Sequence, residues 1–128
     1  MKYFVAAASG NGISVDTHFG YARTYRIIGV DDEQGTWETQ ETRNISLNDE
    51  LSGDGGCFGH DEGTIAGVAE QLKDCRYVLV EKIGARPQKI LQRNGLEVLE
   101  TDMKIDDAVR KIIQYQKKHE LSSEEEKN

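Results

Sequence analysis

A chain of 128 residues with 37% hydrophobic side chains is sized for one domain that buries about two thirds of its unfolded surface around one core. Its 16 Lys and Arg stand against 23 Asp and Glu, a net charge of -7 that repels a phosphate backbone, and no basic cluster offsets this, so nucleic acid is not an expected partner. The longest apolar run, 3–8, is far short of the roughly 20 residues of a bilayer span, and the start lacks the regions of a signal peptide. The expected location is therefore the cytoplasm, with no membrane contact, and there Cys57 and Cys75 read as thiols rather than a disulfide.

Residues 3–8 are short, apolar and closed by Ser9-Gly10-Asn11-Gly12, the pattern of a central strand followed by a loop. The run 24–30 precedes a turn-rich stretch, and 36–43, polar around Trp37, completes a hairpin whose second strand lies at an edge. From 47 to 62 no periodicity is present, so this is a long loop, the kind that carries function or disorder. Within it lies SGDGGCFGHDEG, 52–63, where Gly53, Gly55, Gly56 and Gly59 surround Cys57 and His60. Ile65, Val68, Ala69 and Leu72 then paint one face of a helix, with Thr64 or Asp61 as its cap.

A β-rich run covers 77–80, Pro87 marks a helix start, Gly95 a left-handed helix end, and 96–99 another strand. Strand, helix and strand in so few residues require a parallel pair joined by a right-handed crossover. Ile105, Ala108, Val109, Ile112 and Ile113 form a helical stripe, with Asp106 and Asp107 early and Lys117, Lys118 and His119 late, as the helix dipole favours. The charged stretch 119–128 is a tail, and 122–128 is expected to lack regular structure, leaving 1–118 as the domain. The whole is a three-layer α/β domain, a mixed five-stranded sheet with helices on both faces, and this arrangement resembles the ribonuclease H-like class. A nuclease of that class needs acidic side chains on its first strand to hold magnesium, and 3–8 carries none, which argues against that activity.

Three residues stand out as ligands. His18, in Asp16-Thr17-His18-Phe19-Gly20, is either a metal ligand or a surface or capping histidine. Cys57 and His60 form a C-x-x-H pair whose thiolate and imidazole suit iron, zinc or copper, against the plainer reading of an ordinary loop. The glycines would let backbone amides approach an inorganic cluster and donate hydrogen bonds to its sulfides. They would also suit a phosphate, but no G-x-x-x-x-G-K-[ST] pattern is present. Cys75 reads as a structural, half-buried residue, and Phe19, Tyr21 and Tyr25 as core or rim packing rather than cofactor contacts. No Ser, His, Asp constellation supports nucleophilic catalysis. A zinc hydrolase using His18, Cys57 and His60 with Asp61 or Glu62 as base, and a small-ligand or redox sensor acting through a partner, remain alternatives.

The segments Ile13-Ser14-Val15-Asp16-Thr17-His18-Phe19-Gly20-Tyr21-Ala22, Cys75-Arg76-Tyr77-Val78-Leu79-Val80, Ile83-Gly84-Ala85-Arg86-Pro87 and Gly95-Leu96-Glu97-Val98 resemble the dinitrogenase iron-molybdenum cofactor biosynthesis family. That family includes NifX- and NafY-type carriers and the C-terminal domain of NifB. The resemblance covers 1 to about 118 and implies a ribonuclease H-like fold, not an enzyme. It implies, too, that the chain binds an iron-sulfur cluster or an iron-molybdenum cofactor precursor and passes it to cofactor-assembly proteins without turnover. By motif, His18 matches the family histidine; Cys57 and His60 are assigned on their chemistry. The expectation is a 52–63 loop folding over a cluster docked near His18, with a ligand set incomplete enough to allow release.

Overall fold

The computed structural model describes residues 2–45 and 62–127, the side chains of Glu62 and of 117–127 excepted. Strands β1 (Lys2–Ala8), β2 (Thr24–Asp31), β3 (Thr36–Asn44), β4 (Tyr77–Val80) and β5 (Glu97–Glu100) form one sheet in the order β3-β2-β1-β4-β5. β1 pairs antiparallel with β2 and parallel with β4; β2 with β3 is antiparallel and β4 with β5 parallel. The apolar run at the start of the chain is thus the centre of the sheet, and Val5, Ala6, Ala7 and Ala8 are fully buried. The hairpin and its polar edge strand β3 form as the turn-rich stretch and the polar run around Trp37 predict, with one bulge: Ile27 faces Glu41 and Ile28 faces Thr39, leaving Gln40 as the extra residue.

Alternation along the strands divides the core in two. Ala6, Ala8, Tyr25, Ile27, Val78 and Val80 face helices α1 (Glu62–Gln71) and α2 (Ala85–Arg93), which contribute Ile65, Val68, Ile90 and Leu91, joined by Leu72 just past the end of α1. Val5, Ala7, Ile28, Val30 and Leu79 face helix α3 (Ile105–Lys127), which contributes Val109, Ile112 and Ile113. The result is three layers, α/β/α. No helix among the described residues is long and apolar enough to cross a membrane.

Local chemistry explains the boundaries. Thr64 is not the cap of α1: it is a buried residue inside the helix, because the backbone becomes helical at Glu62, and the other candidate, Asp61, lies outside the described residues. Pro87 falls in the first turn of α2, where N–H groups lack intrahelical partners, so its missing donor costs nothing. Gly95 takes φ +87°, and the Gly95 and Leu96 N–H groups close the helix end on the Gln92 and Leu91 carbonyls. α3 continues as backbone helix to Lys127, past residue 118 and through 122–127, where no regular structure was expected; the Lys and Glu of this stretch are good helix formers in their own right.

β1 and β4 run parallel, so their C-terminal ends share one end of the sheet. β3 finishes there too, since Asn44 pairs with Thr24, Tyr25 pairs with Ala8, and the Ile45 N–H donates to the Arg23 carbonyl at 2.7 Å. α1 delivers the chain to the N-terminal end of β4, so its first turn lies toward this same end.

Candidate functional site

At that end of the sheet the loop after β1 is fastened to the loop after β4. The Glu81 N–H donates to the Thr17 carbonyl (3.0 Å) and the Phe19 N–H to the Lys82 carbonyl (2.8 Å), a short ladder that continues the β1–β4 pairing. Phe19 is 1% exposed and anchors a single 3-10 turn, Phe19–Tyr21, closed by the Tyr21 N–H on the His18 carbonyl. His18 precedes that turn in extended conformation and its side chain makes no capping hydrogen bond, so the capping alternative does not hold. With its main chain fixed and its neighbour buried, the imidazole projects outward at 49% exposure, its Nε2 3.5 Å from Glu81 Oε1.

The imidazole borders an open cavity of about 520 Å3 lined by His18, Tyr21, Lys82, Ile83, Arg86 and Pro87, among others. Its far wall is the β4–α2 loop and the start of α2, whose first turn contains no acidic residue. Glu100 steadies this wall by accepting the Ile83 N–H at 2.9 Å. The preceding loop is equally well tied. Asn11 Oδ1 accepts the N–H groups of Ile13 and Ser14, and the Arg26 guanidinium donates to the Ser9 and Gly10 carbonyls. Burial opposes ionisation of Asp16, but the Gly10 N–H and the Thr17 hydroxyl outweigh it and hold the carboxyl below the ordinary aspartate value. Lys82 and Arg86 bring two cationic side chains to the lining, with the Glu81 and Glu100 carboxylates beside it, in a chain of net charge -7.

Of the three candidate ligands, His18 is the one the described residues contain. Cys57 and His60 lie outside them. The chain leaves the description at Ile45 and returns at Glu62, both toward the His18 end of the sheet. Cys75 sits at the opposite end, before β4, 5% exposed; burial, with the Asp74 carboxylate beside it, pushes its thiol up to about 12, so it is a neutral structural side chain. Phe19 and Tyr25 pack in the core and Tyr21, 59% exposed, lies on the cavity rim, the core or rim placements that their sequence context suggests. Among the described residues no group of three or more His, Cys, Asp or Glu is placed to hold a metal ion. His18 and Glu81 thus place an imidazole and a carboxylate side by side at the mouth of an open cavity whose described lining does not by itself complete a metal ligand set. Glu81, Lys82 and Arg86 were not picked out from sequence, because only the tertiary ladder brings them to His18.

The profile of the dinitrogenase iron-molybdenum cofactor family matches residues 1–115. The chain belongs to this family. Two curated relatives are FeMo cofactor biosynthesis proteins NifB, from Chlorobaculum tepidum at 27% identity over 94% of this chain and from Frankia alni at 31% over 83%. The chain spans only 26% and 20% of their respective lengths. Among solved structures, PH0822 superposes with a TM-score of 0.61 at 17% identity, covering 87% of this chain and 89% of that one. A Methanocaldococcus jannaschii protein, mj0327, whose description names dinitrogenase, gives 0.55 at 16%, covering 89% and 90%. At these identities the two structures establish the shared fold. The family match takes in every strand among the described residues, both helices of one face and the first half of α3, and with them His18 and the 81–87 wall.

Proposed function

We propose that this chain binds an iron-sulfur cluster or a precursor of the iron-molybdenum cofactor at the His18 end of its sheet and hands it to cofactor-assembly proteins in the cytoplasm without turning it over. Membership of the family supports the cargo, and the strand order, an antiparallel meander followed by two parallel strands, supports assigning the fold to the ribonuclease H-like class. The observation that carries the reading is the exposed imidazole of His18, on a main chain fixed by the ladder to the β4 loop, at an open cavity that Lys82 and Arg86 help to line.

In this proposal His18 contributes one nitrogen, and Cys57 and His60 contribute a thiolate and a second imidazole from the segment that leaves at Ile45 and returns at Glu62. Lys82 and Arg86 offset the negative charge that sulfides and thiolates give a cluster, without ligating it. A set of three donors leaves positions on the metal open to groups of a recipient, and an open position is what distinguishes delivery from structural retention.

The test is elemental analysis and absorption spectroscopy of the chain purified without oxygen. Bound iron and sulfide, lost when His18, Cys57 and His60 are all replaced by alanine, are expected. Stoichiometric zinc with hydrolytic turnover, and no iron or sulfide, would reject the proposal.

A further inference from the structure

The contact between His18 and Glu81 is built into the backbone. Hydrogen bonds from the Glu81 N–H to the Thr17 carbonyl and from the Phe19 N–H to the Lys82 carbonyl set the two main chains in one register. The two side chains therefore leave neighbouring positions of the same short ladder. Glu100 fixes the next residue along by accepting the Ile83 N–H, so the segment bearing Glu81 is held from both sides. On this mount the His18 ring brings Nε2 within 3.5 Å of Glu81 Oε1, a contact within ion-pair range between side chains that are 49% and 36% exposed.

An ionised carboxylate accepts hydrogen bonds and donates none. Facing Nε2, it favours the neutral tautomer that carries its proton there, and that tautomer has its free lone pair on Nδ1. A carboxylate on the N–H of a ligating imidazole also fixes the ring and raises the basicity of the other nitrogen. We infer that Glu81 is a positioning residue, holding the proton of His18 on Nε2 so that Nδ1 is the atom that ligates the cluster. The inference rests on the cluster-carrier reading and assigns to Glu81 a role in that same site. The opposite geometry, Nε2 as the ligand with the Glu81 carboxylate as a second donor, is the alternative that the experiment must separate from it.

Two measurements on the full chain do so. In the first, long-range proton–nitrogen spectra of 15N-histidine-labelled apo protein are recorded in mildly alkaline solution, His18 being assigned by its loss in His18→Ala. The expected pattern is that of a proton held on Nε2, moving toward a mixture of tautomers in Glu81→Ala and restored in Glu81→Gln, whose carbonyl accepts the same bond. A pattern indifferent to Glu81→Ala overturns the inference.

In the second, His18 is replaced by histidine methylated at Nδ1 or at Nε2, and each chain is loaded anaerobically with iron and sulfide. The Nδ1-methylated chain should retain no more iron than His18→Ala and the Nε2-methylated chain several-fold more, while Glu81→Ala should weaken retention about ten-fold. The reverse order of the two methylated chains overturns the inference and leaves the carrier reading standing. Failure of the unmodified chain to take up iron and sulfide rejects the carrier reading and with it the ligand assignment, and the tautomer spectra still decide whether Glu81 orients the ring.

Discussion

The Phe19 N–H donates to the Lys82 carbonyl at 2.8 Å, and through this bond the loop that ends β1 and the loop that ends β4 become one surface. Phe19 holds the bond in place from below, its ring buried in the core cluster that also contains Ala6, Tyr25 and Val80, while His18 stands on the solvent side. Structure and proposed chemistry meet in this pair of consecutive residues, one turned into the core and one out of it.

Phe19→Ala should therefore damage both. Truncating a fully buried ring costs about 3–5 kcal/mol, read from the urea midpoint, and the freed His18 should lose its fixed relation to Glu81. Phe19→Leu should recover most of the stability. An alanine variant with an unchanged midpoint would contradict the anchor role.

Cys75 gives a prediction with a definite sign. Burial, helped by the Asp74 carboxylate, raises its folded-state thiol from 9.0 to about 12. The stability this represents is intact below the unfolded value and is lost as pH rises from about 9 toward about 12, because only the unfolded thiol ionises in that window. Tyr77, raised by burial to about 12, adds loss of the same sign from its own ordinary value of 10.0 upward. Alkaline titrations of unfolding free energy should show this decline, with its onset shifted to higher pH in Cys75→Ala. In a Cys57→Ala background, Cys75 should resist alkylation near pH 8 until the chain unfolds. Rapid native labelling would contradict the burial, and loss of cluster loading in Cys75→Ala would contradict its structural role.

Arg43 ties the edge strand to the far end of α1. Its guanidinium bonds both carboxylate oxygens of Asp74, at 2.8 and 3.1 Å, and the Gln71 carbonyl at 2.9 Å. Hydrogen bonds from Arg43 hold the Asp74 carboxyl below its ordinary value despite some burial, so the pair stabilises above that value and fades as pH falls through the folded one. With Asp74 half exposed, Arg43→Ala should cost only about 1–2 kcal/mol near neutrality. The difference from the wild type should shrink in acid. A gap that widens toward low pH would contradict the ion pair.

Gly95→Ala should cost about 1 kcal/mol, because φ is +87° there and the space around a new Cβ is open, leaving backbone conformation as the sole penalty. Thermal unfolding measures it. A neutral substitution would contradict the left-handed helix end.

The elements that could be read in sequence are those whose signal is local. The apolar run of β1, the four apolar residues of β4, the stripe of α3 and the Pro87 and Gly95 punctuation each carry their own periodicity or stereochemistry. Thr64 misled because a polar residue before an apolar stripe looks like a cap from either side of the true boundary. α3 ran longer than expected because apolar periodicity stops where packing stops, while Lys and Glu sustain a helix without it. His18 could be singled out as a residue type, but its partner could not. Glu81 reaches it through a ladder between segments far apart in the chain, and nothing in the run Val80-Glu81-Lys82 announces that.

The central claim is that His18 ligates a metal cluster, and nitrogen hyperfine coupling seen by pulsed electron paramagnetic resonance tests it most directly. In the chain loaded anaerobically with iron and sulfide and reduced to a paramagnetic state, a histidine nitrogen coupling is expected, weakened or abolished in His18→Ala. The same coupling, undiminished, in wild type and His18→Ala would contradict the account.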